Sequence, residues 1–157
     1  MLVVIFYPYN SFAEIEIKYD RFKNRTNVWT DPKKIGGTVK QPALVLLGSY
    51  DGQTPSRPEI CEIAFFIRSA SWAYLHCHSL YCLADGKPVE LPPSKHKGRV
   101  GRGYVLEHIF IMVPFSFVEQ LSKCEKLEFK LCNTEFSLSR YEMEDLKTFV
   151  EAFFEKK

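Results

Sequence analysis

The chain has 157 residues, 46% of them hydrophobic and 15% aromatic, including 13 Phe and 8 Tyr. Apolar content of that size excludes a disordered chain, and the length suits one domain with its own core. With 21 basic and 19 acidic side chains the formal charge is +2, too balanced to draw nucleic acid or a membrane surface by long-range attraction.

Residues 1–13 allow two readings. Leu2 to Tyr7 is an apolar run, and Ser11-Phe12-Ala13 has the small-x-small form cut by signal peptidase. No Lys or Arg precedes the run, so the segment reads as a signal-peptide remnant or as a first strand ended by Pro8. The remnant reading favours an exported or periplasmic protein over a cytoplasmic one. No run in the chain is long enough to span a bilayer as a helix.

Residues 14–157 read as a single α+β domain. Glu14 to Tyr19 alternates Ile15, Ile17 and Tyr19 with charged residues, the period of a strand with one buried face. Thr26 to Thr30 predicts its hairpin partner, Ala43 to Tyr50 a further strand, and Asp51 to Pro58 a surface loop. Cys61, Ile63, Phe65 and Ile67 share one face of the next strand. Trp72 to Leu91 then predicts a β-hairpin around Asp85-Gly86, a pair that supplies the positive φ of a type I′ turn. In that register Cys82 opposes Val89 and Leu80 opposes Leu91, and Pro88 marks an edge strand. Lys95 to Gly103 reads as a loop rich in Gly and basic residues. Tyr104 to Val113 is apolar on both faces and predicts a central strand.

Helical spacing of Phe115, Val118 and Leu121 predicts a short helix ending near Lys123. Leu127, Phe129 and Leu131 alternate with charged residues, and a last short strand follows at Phe136 and Leu138. Ser139 and Glu142 form a capping box ahead of a helix with an apolar stripe of Leu146, Phe149, Val150, Phe153 and Phe154. The order of elements predicts a strongly bent antiparallel sheet of about eight strands, as a sandwich or an open barrel, closed by the C-terminal amphipathic helix.

Five cysteines, Cys61, Cys77, Cys82, Cys124 and Cys132, form an odd set without a C-x-x-C pair, so at least one thiol is free. Cys61 reads as a buried free thiol, and a Cys124 to Cys132 disulfide is one open pairing. On the predicted strand His76 and His78 share a face about 7 Å apart, close enough to grip one metal ion, with Cys82 further along and His108 as a possible further ligand. Leu80 and Ala84 on the same face favour instead histidines at the rim of an apolar core.

Lys97, Arg99 and Arg102, set among glycines, offer cations and unobstructed backbone amides for an anion. A solvated loop explains the same residues, and the loop lacks the interleaved aromatics of a nucleic-acid site. No P-loop, dinucleotide fingerprint, G-x-S-x-G elbow or H-E-x-x-H helix occurs, so no cofactor and no catalytic motif is predicted. Cys77 and Ser79 neighbour histidines in sequence, but adjacent strand residues face opposite ways. Glu107, an acid inside an apolar strand, calls for a partner, for which Arg99 or Arg102 is the candidate.

The segments HCHSLYCLADG (His76 to Gly86), GRVGRGYVLE (Gly98 to Glu107), NTEFSLS (Asn133 to Ser139) and YDRFKNRTNVWT (Tyr19 to Thr30) resemble small, β-rich bacterial proteins of uncharacterised function, many made with export signals. The resemblance implies a single exported or envelope-associated domain, and it implies no reaction or ligand. The resulting expectation is a non-enzymatic binding or structural module presenting its sheet to a protein or a small anionic ligand. The alternative is a small metal-dependent or hydrolytic enzyme using His76, His78 and His108.

Overall fold

A computed structural model describes residues 14–31 and 37–155; both readings of residues 1–13 lie outside them. Two hairpin-linked strands, β1 (Glu14–Asp20) and β2 (Arg25–Asp31), open the chain. They are followed by β3 (Ala43–Asp51) and β4 (Ile60–Ser69). The predicted Asp85-Gly86 turn joins two short strands, β5 (Leu80–Ala84) and β6 (Lys87–Val89). Both turn residues have positive φ, 48° and 77°, as a type I′ turn requires. Next come β7 (Lys95–Gly101), β8 (Tyr104–Pro114), helix α1 (Phe115–Ser122), β9 (Leu127–Leu131), β10 (Thr134–Ser137) and helix α2 (Arg140–Glu151).

Among the described residues ten strands form two antiparallel sheets, one of six in the order β1-β2-β3-β4-β8-β7 and one of four in the order β10-β9-β5-β6. The fold is α+β as predicted, with ten strands where about eight were expected. Alternation sets the faces of the large sheet. Val28, Leu46, Cys61, Ile63, Phe65, Ile67, Ile109, Ile111 and Val113 point inward and are buried. The small sheet closes over them, Phe65 meeting Phe129 and Phe136 edge-on at 4.9 and 5.1 Å. Beside it α2 covers the β2 and β3 end, where Gly48 lets Phe149 and Phe153 approach so closely that a Cβ would fall 2.6 Å from the Phe153 ring. Both helices and the small sheet therefore lie on one side, and among the described residues no helix or sheet packs on the opposite, outer face of the large sheet.

α2 begins where the capping box places it. Ser139 Oγ accepts from the Glu142 amide and Glu142 accepts from the Ser139 amide, satisfying two donors that helix geometry leaves unpaired. Leu146 and Phe149 form its buried stripe, while Phe153 follows just past the helix end and Phe154 is exposed.

Three expectations are corrected. Lys95 to Gly101 is a strand and only Arg102-Gly103 is a turn, because β8 offers a full-length partner from Tyr104 to Phe110. The hairpin around Asp85 starts at Leu80 rather than Trp72: residues 70–79 are irregular, and β6 ends at Val89, so no Leu80–Leu91 pair forms, while on its other side Leu80 faces Leu131 of β9. Cys82 does oppose Val89. β8 is flanked on both sides yet lies second from the edge, with β7 outside it.

Phe65 carries the contact between the sheets and is fully buried. Phe65→Ala is expected to lower the unfolding free energy by about 3 to 5 kcal/mol, read from urea midpoints at unchanged slope.

Candidate functional site

Two groups of polar side chains occupy opposite faces of the β7–β8 hairpin. On the inner face Glu107 is fully buried in a strand of aliphatic residues, where an unpaired carboxyl would be costly. Its Oε2 accepts from the Ala73 amide and its Oε1 from the Tyr74 amide, both at 2.8 Å. His96, across on β7, brings Nε2 to 3.0 Å from Oε1. Glu107 thus fastens the irregular segment 70–79 to the sheet. Tyr74 buries its ring beneath that segment and donates to the Val39 carbonyl at 3.0 Å. Trp72 lies edge-on to His96 and packs on Gly98, where a Cβ would come within 2.3 Å of the indole.

A disulfide closes the far end of the same segment. Cys77 is bonded to Cys132 across 55 residues, and Cys132 adopts a φ of 55° in the β9–β10 turn while its amide donates to the Ser79 carbonyl. This pairing replaces the Cys124–Cys132 possibility. Cys61, Cys82 and Cys124 are free. Burial pushes the Cys61 and Cys82 thiols up to about 12, with the neighbouring Cys124 adding to the effect at Cys82. Burial and then the adjacent Asp85 carboxylate raise Cys124 as well.

The outer face carries a different chemistry. Strand register places Lys97 opposite His108, Lys95 opposite Phe110 and Arg99 opposite Leu106, so Lys95, Lys97 and Arg99 form one row along the outermost strand. His108 is sandwiched between Phe66 and Phe110 at 4.4 and 4.7 Å and binds Glu62 at 2.9 Å. Lys97 Nζ lies 5.2 Å over the Phe110 ring, and Arg68 lies 4.0 Å over Tyr104. None of Lys95, Lys97, Arg99 and Arg102 has a carboxylate partner among the described residues.

The proposed metal ligands do not converge. His76 is exposed on the irregular segment. His78 stacks on His96 at 5.7 Å on the inner side, its Nδ1 buried without a hydrogen-bond partner among the described residues. His108 neighbours Glu107 in β8 and so projects from the other face of the sheet. Cys82 is in the core between the sheets. No group of three metal-type side chains occurs among the described residues. Of the anion candidates, Lys97 and Arg99 share the outer row and Arg102 lies in the following turn. Arg99 faces away from Glu107, which corrects the expected ion pair: His96 and two amides take that place.

His96, which completes the buried clasp, is legible from strand alternation. Once Lys95 to Gly101 is taken as a strand paired through the Arg102-Gly103 turn, His96 falls on the same face as Glu107. A cleft of about 370 Å³ on the small sheet is lined by Tyr81, Phe129, Lys130 and Glu135 among others. Of its charged lining residues, Lys130 and Glu135 face each other at 3.8 Å and Glu128 pairs with Lys126, and it lies apart from both polar groups. No helix among the described residues is long and apolar enough to cross a membrane. Comparison of the chain with protein families, curated proteins and solved structures finds no match.

Two outcomes follow from the clasp. Glu107→Ala removes an acceptor from two amides and an imidazole, so it is expected to cost about 3 to 5 kcal/mol and to speed hydrogen exchange at Ala73 and Tyr74. Thiol titration is expected to find three reactive cysteines in denaturant and five after reduction, with Cys61 and Cys82 unreactive in the native protein at neutral pH. Because their folded pKa values lie above the ordinary value of 9.0, the stability gained by keeping these thiols protonated is complete below that pH. It should fade as pH rises toward 12 in alkaline unfolding curves.

Proposed function

We propose that this protein is a non-catalytic binding module that docks an anionic partner along β7. The carrying observation is the row of Lys95, Lys97 and Arg99, set on one face of an outermost strand and unpaired with carboxylates among the described residues. An outermost strand offers backbone donors and acceptors to a further chain, and alternating side chains select that chain by charge. Arg102 in the adjoining turn extends the cationic row. Packing of Lys97 and Arg68 over aromatic rings holds two cations against the sheet, reducing the side-chain freedom lost on binding.

The inner group supports a structural rather than a catalytic reading. Both oxygens of Glu107 are occupied by N–H donors that hold the protein's own backbone. The dispersal of His76, His78 and His108 over different faces weighs against the metal-enzyme alternative. An exported, envelope-associated setting agrees with the resemblance to exported bacterial proteins, and the Cys77–Cys132 bond supports an oxidising compartment.

The test is thermal unfolding with poly-glutamate as probe at low ionic strength. Wild-type protein is expected to gain stability with poly-glutamate, by RT ln(1 + [L]/Kd), and to lose the gain in high salt. Lys97→Ala combined with Arg99→Ala should melt at the wild-type temperature without probe and show no gain with it. A wild type that ignores the probe, or a variant that responds equally, overturns the proposal.

A further inference from the structure

Among the described residues the six-stranded sheet has two open edges, and they differ in charge. β7 presents Lys95, Lys97 and Arg99 on the outer face. β1 presents Glu14 and Glu16 on that same face, as shown by Glu16 lying opposite Trp29, which in turn lies opposite Leu47. Each edge strand is seven residues long. Neither Glu14 nor Glu16 is ion-paired among the described residues. We infer that the partner of β7 is β1 of a second copy of this chain, so that copies join edge to edge, head to tail, into one continuing sheet.

Strand direction supports this arrangement. Every neighbouring pair in the sheet is antiparallel, and an even number of alternating strands leaves β1 and β7 running in opposite directions. A second copy in the same orientation therefore brings its β1 antiparallel to β7, with the outer faces of both copies on one side. No element has to turn over. Glu14 then falls opposite Lys97 and Glu16 opposite Lys95, and Lys18 passes beyond the end of β7. The register one pair further along would set Lys18 against Lys95, a like-charge contact that costs free energy. In the favoured register Ile15 meets His96, while Ile17 falls opposite Ser94, just before β7 begins.

Cations on an edge strand also discourage a strand from pairing with its own kind. That effect opposes β7 against β7 and favours β7 against β1, so it directs copies into the head-to-tail joint. Such a joint uses different surfaces on the two partners and leaves one edge open at each end of the assembly. Growth can then continue past a dimer, and strand twist of roughly 20 to 25° per strand makes the assembly helical or ring-like rather than flat.

The inference rests on β7 being a docking edge and names what docks there. Sedimentation velocity over a concentration series is the test. Wild-type mass should climb with concentration, pass that of a dimer, and fall with added salt. Two charge-reversed variants, Glu14→Lys/Glu16→Lys and Lys95→Glu/Lys97→Glu, should each stay monomeric at an unchanged melting temperature, and an equimolar mixture should regain association because each then meets a complementary edge. A monomeric wild type, a variant that associates alone as the wild type does, or a mixture that stays monomeric overturns the inference. Glu14→Lys/Glu16→Lys leaves β7 intact and should retain the poly-glutamate response. A monomeric wild type that still responds to poly-glutamate therefore removes self-association and leaves the docking edge standing.

Discussion

Burial of a single face of the six-stranded sheet is the constraint from which the other features follow. Phe65, meeting Phe129 and Phe136 between the sheets, and Phe149 and Phe153, lying over Gly48, draw every covering element to one side. Side chains of period two must then divide, apolar inward and mixed outward. The division separates Glu107 from Arg99 and His78 from His108, although each pair is close in sequence or in chemistry. It also aligns Lys95, Lys97 and Arg99 in one row.

Glu107 illustrates how a polar group is kept in such a core. The strand carries it inward at a position where an aliphatic residue would pack, and its place is secured because the irregular segment 70–79 has backbone amides that no strand neighbour satisfies. Carboxyl and amides meet each other's need. His96 completes the set from the adjacent strand, and the Cys77–Cys132 bond restrains the far end of the segment, removing conformational freedom from the unfolded chain over a 55-residue separation. The inner polar group thus maintains the hairpin whose other face carries the cations. The buried polar clasp and the cationic row lie on the two sides of one pair of strands.

Edge strands are a hazard that proteins ordinarily manage with charge. Here the two edges of one sheet carry opposite charge, so the same side chains that discourage like edges from pairing are the ones on which the proposed docking rests. The outer face adds aromatic rings that hold Lys97 and Arg68 in place without neutralising them.

Local sequence determined the elements whose signals are local. Alternation marked β1, β9 and the inward face of β4; Asp85-Gly86 set its turn; Ser139 and Glu142 set the start of α2. Each depends on residues within a few positions of one another, so no knowledge of the fold was needed. Tertiary structure alone decided which cysteines bonded, that Lys95 to Gly101 became a strand, that Leu80 faced β9, and that His96 rather than an arginine met Glu107. These outcomes turn on partners distant in sequence: Cys77 reaches Cys132 only because β5 lies beside β9, and a Gly-rich basic stretch becomes a strand only because β8 holds out an unpaired edge. Side-chain period fixes the faces of a strand, but the neighbour that supplies its hydrogen bonds is chosen by the packing of the whole sheet.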